Sequence, residues 1–190
     1  MRTFSHRAVG ATATRIITPF ALVLGLLPTT GAAAVFHSRS EIGTLAFPEA
    51  DRVVTRDIFV TPTQRGEIVS KAHSDLDSDL VSVYEGYVGE RLLGYALLDS
   101  HIVRTLPEAL LVVLDSSGRV AATHVMAFHE PLEYLPSRRW LDLFGDKGLS
   151  DDLRIGRSVV GITGATLSAH AVMGSIRRAL AIYEVLLARH

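Results

Sequence analysis

The segment Val159-Val160-Gly161-Ile162-Thr163-Gly164-Ala165-Thr166 runs from β-branched residues through two glycines into the last apolar-periodic stretch of the chain. That order places Thr166 at or beside a helix N-cap. A helix N-terminus offers backbone N–H groups without intrahelical partners and the positive end of the macrodipole, so a phosphate is stabilised there without any lysine. Gly161 and Gly164 let the backbone approach such a ligand closely. Spacing alone equally allows a simple capped helix start, and both readings stand at this point.

Other residues of chemical type are weaker candidates. His101, His124 and His129 could serve a metal or haem, but their spacing matches no ligand motif. Asp75, Asp77 and Asp79 have a calcium-loop beginning without its glycine or distant glutamate, which reads as a solvated loop. Asp99, Ser100 and His101, taken with Ser168, are the residue types of a hydrolytic set. No G-x-S-x-G elbow accompanies them, and adjacency in sequence does not make triad geometry. Tyr95, Tyr134 and Trp140 could stack on a ring but read first as core. Arg157, close to the turn, could pair with a phosphate. With no cysteine in the chain, thiolate nucleophiles, iron–sulfur clusters and C-x-x-C-H haem attachment are excluded, so redox chemistry would need an imported cofactor.

The 190 residues carry 19 basic and 20 acidic side chains, with 48% apolar and 21% charged residues. That is ordinary globular usage for one domain, and it lacks the basic footprint of a nucleic-acid binder. Arg2, Arg7 and Arg15 precede an apolar run from Ile16 to Leu27, and Gly31-Ala32-Ala33-Ala34 supplies small residues. Residues 1–34 therefore read as a signal peptide, and the mature chain is expected outside the cytoplasm, in the periplasm or on the outer face of the membrane. The apolar run is too short for a bilayer span of ~20 residues.

Further along, residues 35–79 read as an extension, with a turn at Phe47–Asp51 and a short strand at Arg52–Val54. Thr61-Pro62-Thr63-Gln64 has the cap, the N1 proline and the N3 glutamine that announce a helix to about Ala72. Residues 80–190 form the main domain. Leu80–Tyr87 and Glu90–Leu98 read as paired strands, and the continuous apolar run Leu110–Leu114 reads as a doubly buried strand. It turns at Asp115–Gly118 into a strand over Arg119–Phe128. A short helix is expected over Arg138–Phe144. Val172, Ile176 and Leu180, widened by Met173, Ala179, Tyr183 and Leu187, mark a C-terminal helix from about Leu167, with Arg177, Arg178 and Glu184 on its other faces. Strands in the middle and helices at both ends give an α+β fold with a twisted, largely antiparallel sheet.

Thr163-Gly164-Ala165-Thr166, with Ser168 after Leu167, resembles the flavinylation motif of FMN-binding domains, as in the C subunit of the sodium-pumping NADH:quinone oxidoreductase and the G subunit of the Rnf complex. The similarity extends over roughly Tyr84 to Leu187: Gly94-Tyr95, the Asp115–Gly118 turn, His129-Glu130-Pro131 and Phe144–Lys147 follow in the same order. Val160 stands where that pattern has Asp, and Leu132-Glu133-Tyr134 where it often has Gly-Leu-Gly. The resemblance implies FMN esterified through its phosphate to Thr166 by a flavin transferase. The flavin site would comprise Thr163, Gly164, Ala165, Leu167 and Ser168, with His129 and Glu130 nearby. It implies an electron carrier, serving membrane-bound or periplasmic redox proteins, rather than a substrate-transforming enzyme. The alternative is a non-redox binding or structural module of the same fold with an empty or non-covalent flavin site.

Overall fold

The computed structural model describes residues 34–103 and 106–188. The expected signal segment falls almost wholly on residues 1–33, outside the described residues, while Ala34 pairs with Phe128 in the sheet. Six strands make one antiparallel sheet: β1 (Ala34–Val35), β2 (Arg52–Phe59), β3 (Leu80–Val88), β4 (Arg91–Val103), β5 (Leu106–Asp115) and β6 (Val120–Phe128), in the order β1-β6-β5-β4-β3-β2. With four α-helices among the described residues, the architecture is the α+β fold expected from the sequence.

β5 sits inside the sheet and explains its unbroken apolar run. Leu110, Val112 and Leu114 enter the larger core, while Leu111 and Val113 enter a second core on the opposite face. Side chains alternate across a strand, so a strand covered on both sides must be apolar at every position. The larger core is closed by α2 (Pro62–Ala72) and α4 (Thr166–Ile182), which continues as a π-helical turn over Tyr183–Leu187. The smaller core is closed by α1 (Ile42–Ala46) and Phe47, whose ring lies on Gly86. α3 (Arg138–Leu141) contributes Trp140 and Leu141 to the larger core.

Helix α2 begins as its sequence directs: the Thr61 hydroxyl accepts from the Gln64 N–H, and the Gln64 carboxamide accepts from the Thr61 N–H at 3.0 Å. Two expectations need correction. The strand expected over Arg52–Val54 runs to Phe59 and pairs residue for residue with β3, so the segment before residue 80 supplies an edge strand of the sheet. Its polar residues Thr55, Arg56 and Asp57 hid it, because an edge strand buries little on either face. Arg178, expected on an outer face of the last helix, is 7% exposed and turned toward β4. Arg177 instead anchors α2, donating from Nε to the Ala72 carbonyl at 2.7 Å and from Nη2 to that of Lys71 at 3.1 Å. Those carbonyls belong to the last turn of α2 and lack intrahelical partners.

Candidate functional site

The motif turn leads directly into α4. Gly164 has φ +80, a left-handed value that glycine adopts without strain. The N-cap is Ala165, directly beside Thr166, and its side chain offers no cap hydrogen bond to the first-turn amides. Thr166 is the first helical residue. Alanine is a poor N-cap, costing about 1 kcal/mol relative to Ser, Thr or Asp, so the cap residue of α4 leaves the first-turn amides to other acceptors. Thr163, Gly164, Thr166 and Leu167 are exposed, while Ala165 and Ser168 are each 3% exposed.

Of the residues expected around this turn, Glu130 comes closest. It is 7% exposed, its Oε1 has no hydrogen-bond partner, and it shares a small crevice with Gly164, Ala165, Leu167, Ser168 and Tyr134. His129 is directed elsewhere: its Nδ1 donates to the Pro107 carbonyl at 2.8 Å, tying the end of β6 to the start of β5. Val160, at the position of the pattern's Asp, is 73% exposed, and its carbonyl accepts from Trp140 Nε1 at 2.6 Å. Tyr95 and Trp140 are core residues, edge-on to Tyr183 and Phe144 respectively. Arg157 lies on the exposed loop before the motif, in a separate hollow with Arg154 and Arg177.

A cleft of about 750 Å³ runs beside α4, lined by His101, Ile102, Pro107, His170, Gly174 and Arg178 among others. Its volume falls within the range of small-molecule and cofactor sites. His170 lies one turn beyond Thr166, ~6 Å along the helix axis. Gly174, in the middle of α4, is in an unfavourable place for glycine. A Cβ there would sit 3.3 Å from Arg178 Nη1 and 3.4 Å from Ser74 Oγ, so glycine keeps this wall of the cleft low.

Below the cleft lies a buried polar cluster that the sequence reading did not assemble. Arg178 grips Asp99 with two hydrogen bonds, Nε to Oδ1 at 2.9 Å and Nη2 to Oδ2 at 2.6 Å. Ser175 donates to the same Oδ2 at 2.6 Å, and His101 Nδ1 lies 3.0 Å from it. On the other side of the imidazole, Nε2 is 3.5 Å from Glu108 Oε2, an ion-pair contact too long for a good hydrogen bond. Glu108 is 1% exposed and neither of its oxygens is hydrogen-bonded. Burial alone would raise the Asp99 carboxyl, but hydrogen bonds from His101, Arg178 and Ser175, with the Arg178 charge, hold it well below the usual carboxylate range. Burial alone would likewise lower His101, but the hydrogen bond to Asp99, the close approach of Glu108 and the charges of both carboxylates prevail, and the imidazole is pushed up to about 9.

The cluster does not have hydrolytic geometry. The Ser175 hydroxyl donates to the carboxylate rather than to a basic imidazole nitrogen, and both ring nitrogens face carboxylates. Ser168, the serine considered from sequence, is not among its members. The signal for the cluster was present in two pieces: Asp99 and His101 at i, i+2 on the strand face that carries Leu97, and Ser175 and Arg178 at i, i+3 on α4. Nothing in the sequence pairs them, since 79 residues separate Asp99 from Arg178. His124 lies on β6 within reach of Arg138, at 3.4 Å from its Nη1; burial and the Arg138 charge lower its pKa. Among the described residues, no group of three or more His, Asp or Glu is placed to hold a metal ion, and no helix is long and apolar enough to cross a membrane. In comparisons with known proteins, no protein-family model and no curated protein matches this chain.

Proposed function

We propose that this protein is an extracytoplasmic electron carrier whose FMN is joined through its phosphate to Thr166. The observation that carries the reading is the start of α4: an exposed threonine on the first residue of a helix whose N-cap, Ala165, has no capping side chain. A phosphoester on Thr166 would bring its oxygens to the first-turn amides, where hydrogen bonding and the helix dipole both favour negative charge. The cleft that begins one turn further along α4 offers room for a ring system attached to such a phosphate. The resemblance of Thr163–Ser168 to the flavinylation motif supplies the identity of the group.

In this reading a flavin transferase forms the bond from Thr166 Oγ to phosphorus, with FAD as donor and AMP as the leaving group. FMN, once bound, supplies reversible uptake of electrons from one redox protein and their delivery to another. The chain itself binds and orients: the α4 amides hold the phosphate, and the cleft shields the ring from water. Purified from a host that contains a flavin transferase, the protein is expected to be yellow, with fluorescence that remains on the chain after denaturation and is lost in Thr166→Val. A colourless protein under those conditions overturns the reading. A yellow protein that releases all its flavin on denaturation removes the covalent link and leaves non-covalent binding.

A further inference from the structure

The crevice at the start of α4 and the cleft beside that helix lie along the same two elements. β4 supplies Val103 to the crevice and His101 and Ile102 to the cleft. On α4, Leu167 lines the crevice, while Ala171, Gly174 and Arg178 line the cleft. Those four residues stand at i, i+4, i+7 and i+11, which is a single helix face. A group attached at Thr166 and reaching the cleft along this face passes the crevice. The crevice holds about 10 Å³, room for one oxygen atom and too little for a ring. Part of its wall is Glu130, which is 7% exposed and whose Oε1 is buried without a hydrogen-bond partner. Leu167 and Ser168, also in the wall, belong to the first turn of α4, whose amides have no acceptor within the helix.

We infer that Glu130 is a binding residue for a hydroxyl on the chain that joins the Thr166 phosphate to the ring, so that the crevice selects a polyol linker over an apolar one. This rests on the FMN reading above. An ionised carboxylate only accepts hydrogen bonds, and the amides of a helix start only donate them. A hydroxyl does both, and its single oxygen matches the size of the crevice. An ionised phosphoester has no proton to give Glu130, and an apolar linker leaves the buried Oε1 unpaired, which is costly. In FMN the ribityl carbon next to the phosphate-bearing one carries a hydroxyl, and along the chain it is the hydroxyl closest to Thr166. The charge of Glu130 is compatible with the phosphate: Thr166 is exposed and outside the crevice lining, and the positive end of α4 favours both anions. Glu130 acts by a hydrogen bond alone, with no covalent or redox step of its own.

A coupling experiment tests this. In the flavin-free protein, Glu130→Met keeps a side chain of similar size and removes an oxygen that has no partner, so its urea midpoint is expected to equal or exceed that of the parent. A clearly lower midpoint shows a carboxylate already committed to the fold, and overturns the inference without touching the FMN reading. Parent and Glu130→Met are then loaded by a flavin transferase, with FAD or with an FAD analogue lacking that one ribityl hydroxyl. The parent is expected to gain a higher urea midpoint from the natural flavin than from the analogue, and the difference is expected to vanish in Glu130→Met. Equal gains in the parent, or an undiminished difference in Glu130→Met, overturn the inference alone. If the transferase rejects the analogue, the natural flavin decides: its gain is expected to be smaller in Glu130→Met than in the parent, and equal gains overturn the inference. Failure of the parent to take flavin from FAD overturns both.

Discussion

Asp99 and Arg178 form a bidentate pair across the interface between β4 and α4, and this pair is the main polar tie between the sheet and the helix that begins at Thr166. Beyond this pair, the Ser175 bond to the same carboxylate and the Arg177 bonds to α2, the helix is held by apolar contacts from Ala169, Val172, Ile176, Ala179 and Leu180. Apolar contacts fix how close α4 lies to the sheet, but they are not directional. The fork of Arg178 on one carboxylate is directional, and it sets how far α4 can slide or rotate over β4.

Breaking that pair from one side should be costly. Arg178→Met leaves Asp99 with Ser175 and His101 but without its compensating charge, and a loss of roughly 3–5 kcal/mol is expected. The double variant Asp99→Leu with Arg178→Met keeps the remaining pair of His101 and Glu108 neutral and should lose less than Arg178→Met alone. Urea denaturation of the three proteins measures this, and a double variant less stable than the single one would show that the pair is worth more than its charge balance.

The His101 cation also gives stability a pH dependence of known sign. Its folded pKa, pushed up to about 9, lies above the ordinary histidine value of 6.5. Its contribution is therefore complete below about pH 6.5 and is lost as pH rises through about 9, an effect on the order of 3 kcal/mol. Asp99, whose folded pKa is lowered, acts in the opposite direction: its contribution is complete above the ordinary aspartate value of 3.8 and falls away only in strong acid. Thermal denaturation should accordingly show a plateau between about pH 4 and 6.5 and a decline toward pH 9. Glu108→Gln should flatten the alkaline decline.

What the sequence made legible was whatever rests on neighbours in the chain. Thr61, Pro62 and Gln64 announce α2 because a capping box is local, and Leu110–Leu114 announces a central strand because burial on both faces leaves no polar position. The α4 stripe is legible for the same reason. The edge strand over Arg52–Phe59 was shortened because most of its side chains are solvated. The start of α4 was legible to within one residue: the sequence put Thr166 at or beside the N-cap, and the turn at Gly164 gives the cap to Ala165 and the first helical position to Thr166. The Asp99–His101–Glu108–Ser175–Arg178 cluster was illegible because it depends on the register between β4 and β5 and on which face of α4 meets them.

Gly94 is expected to be intolerant of any side chain. A Cβ there would lie 2.1 Å from the Leu114 carbonyl oxygen, a backbone atom of the paired strand that cannot rotate away. Gly94→Ala must push β4 off β5 next to the doubly buried run, at a cost of about 3 kcal/mol. The change should appear as a lower urea midpoint and as faster amide exchange at Val113 and Leu114. A parental midpoint would mean that the two strands can separate locally without loss.

Gly174 separates folding from ligand binding. Replacing it with Ala gains about 1 kcal/mol of helix propensity in the middle of α4. The new methyl meets Arg178 Nη1 and Ser74 Oγ at 3.3 and 3.4 Å, so the hydrogen bond between them must lengthen or shift. A weakened hydrogen bond costs about as much as the helix gains, so Gly174→Ala should remain within about 1 kcal/mol of the parent. Gly174→Leu goes further and fills the wall of the cleft between His170 and Arg178. Thr166 lies two turns away and remains exposed, so flavin attachment should proceed in this variant as in the parent. The ring, however, would be excluded from the cleft, and iodide should quench its fluorescence more strongly than in the parent protein. Equal quenching in the two proteins would place the ring elsewhere on the surface around Thr166 and separate the cleft from the flavin.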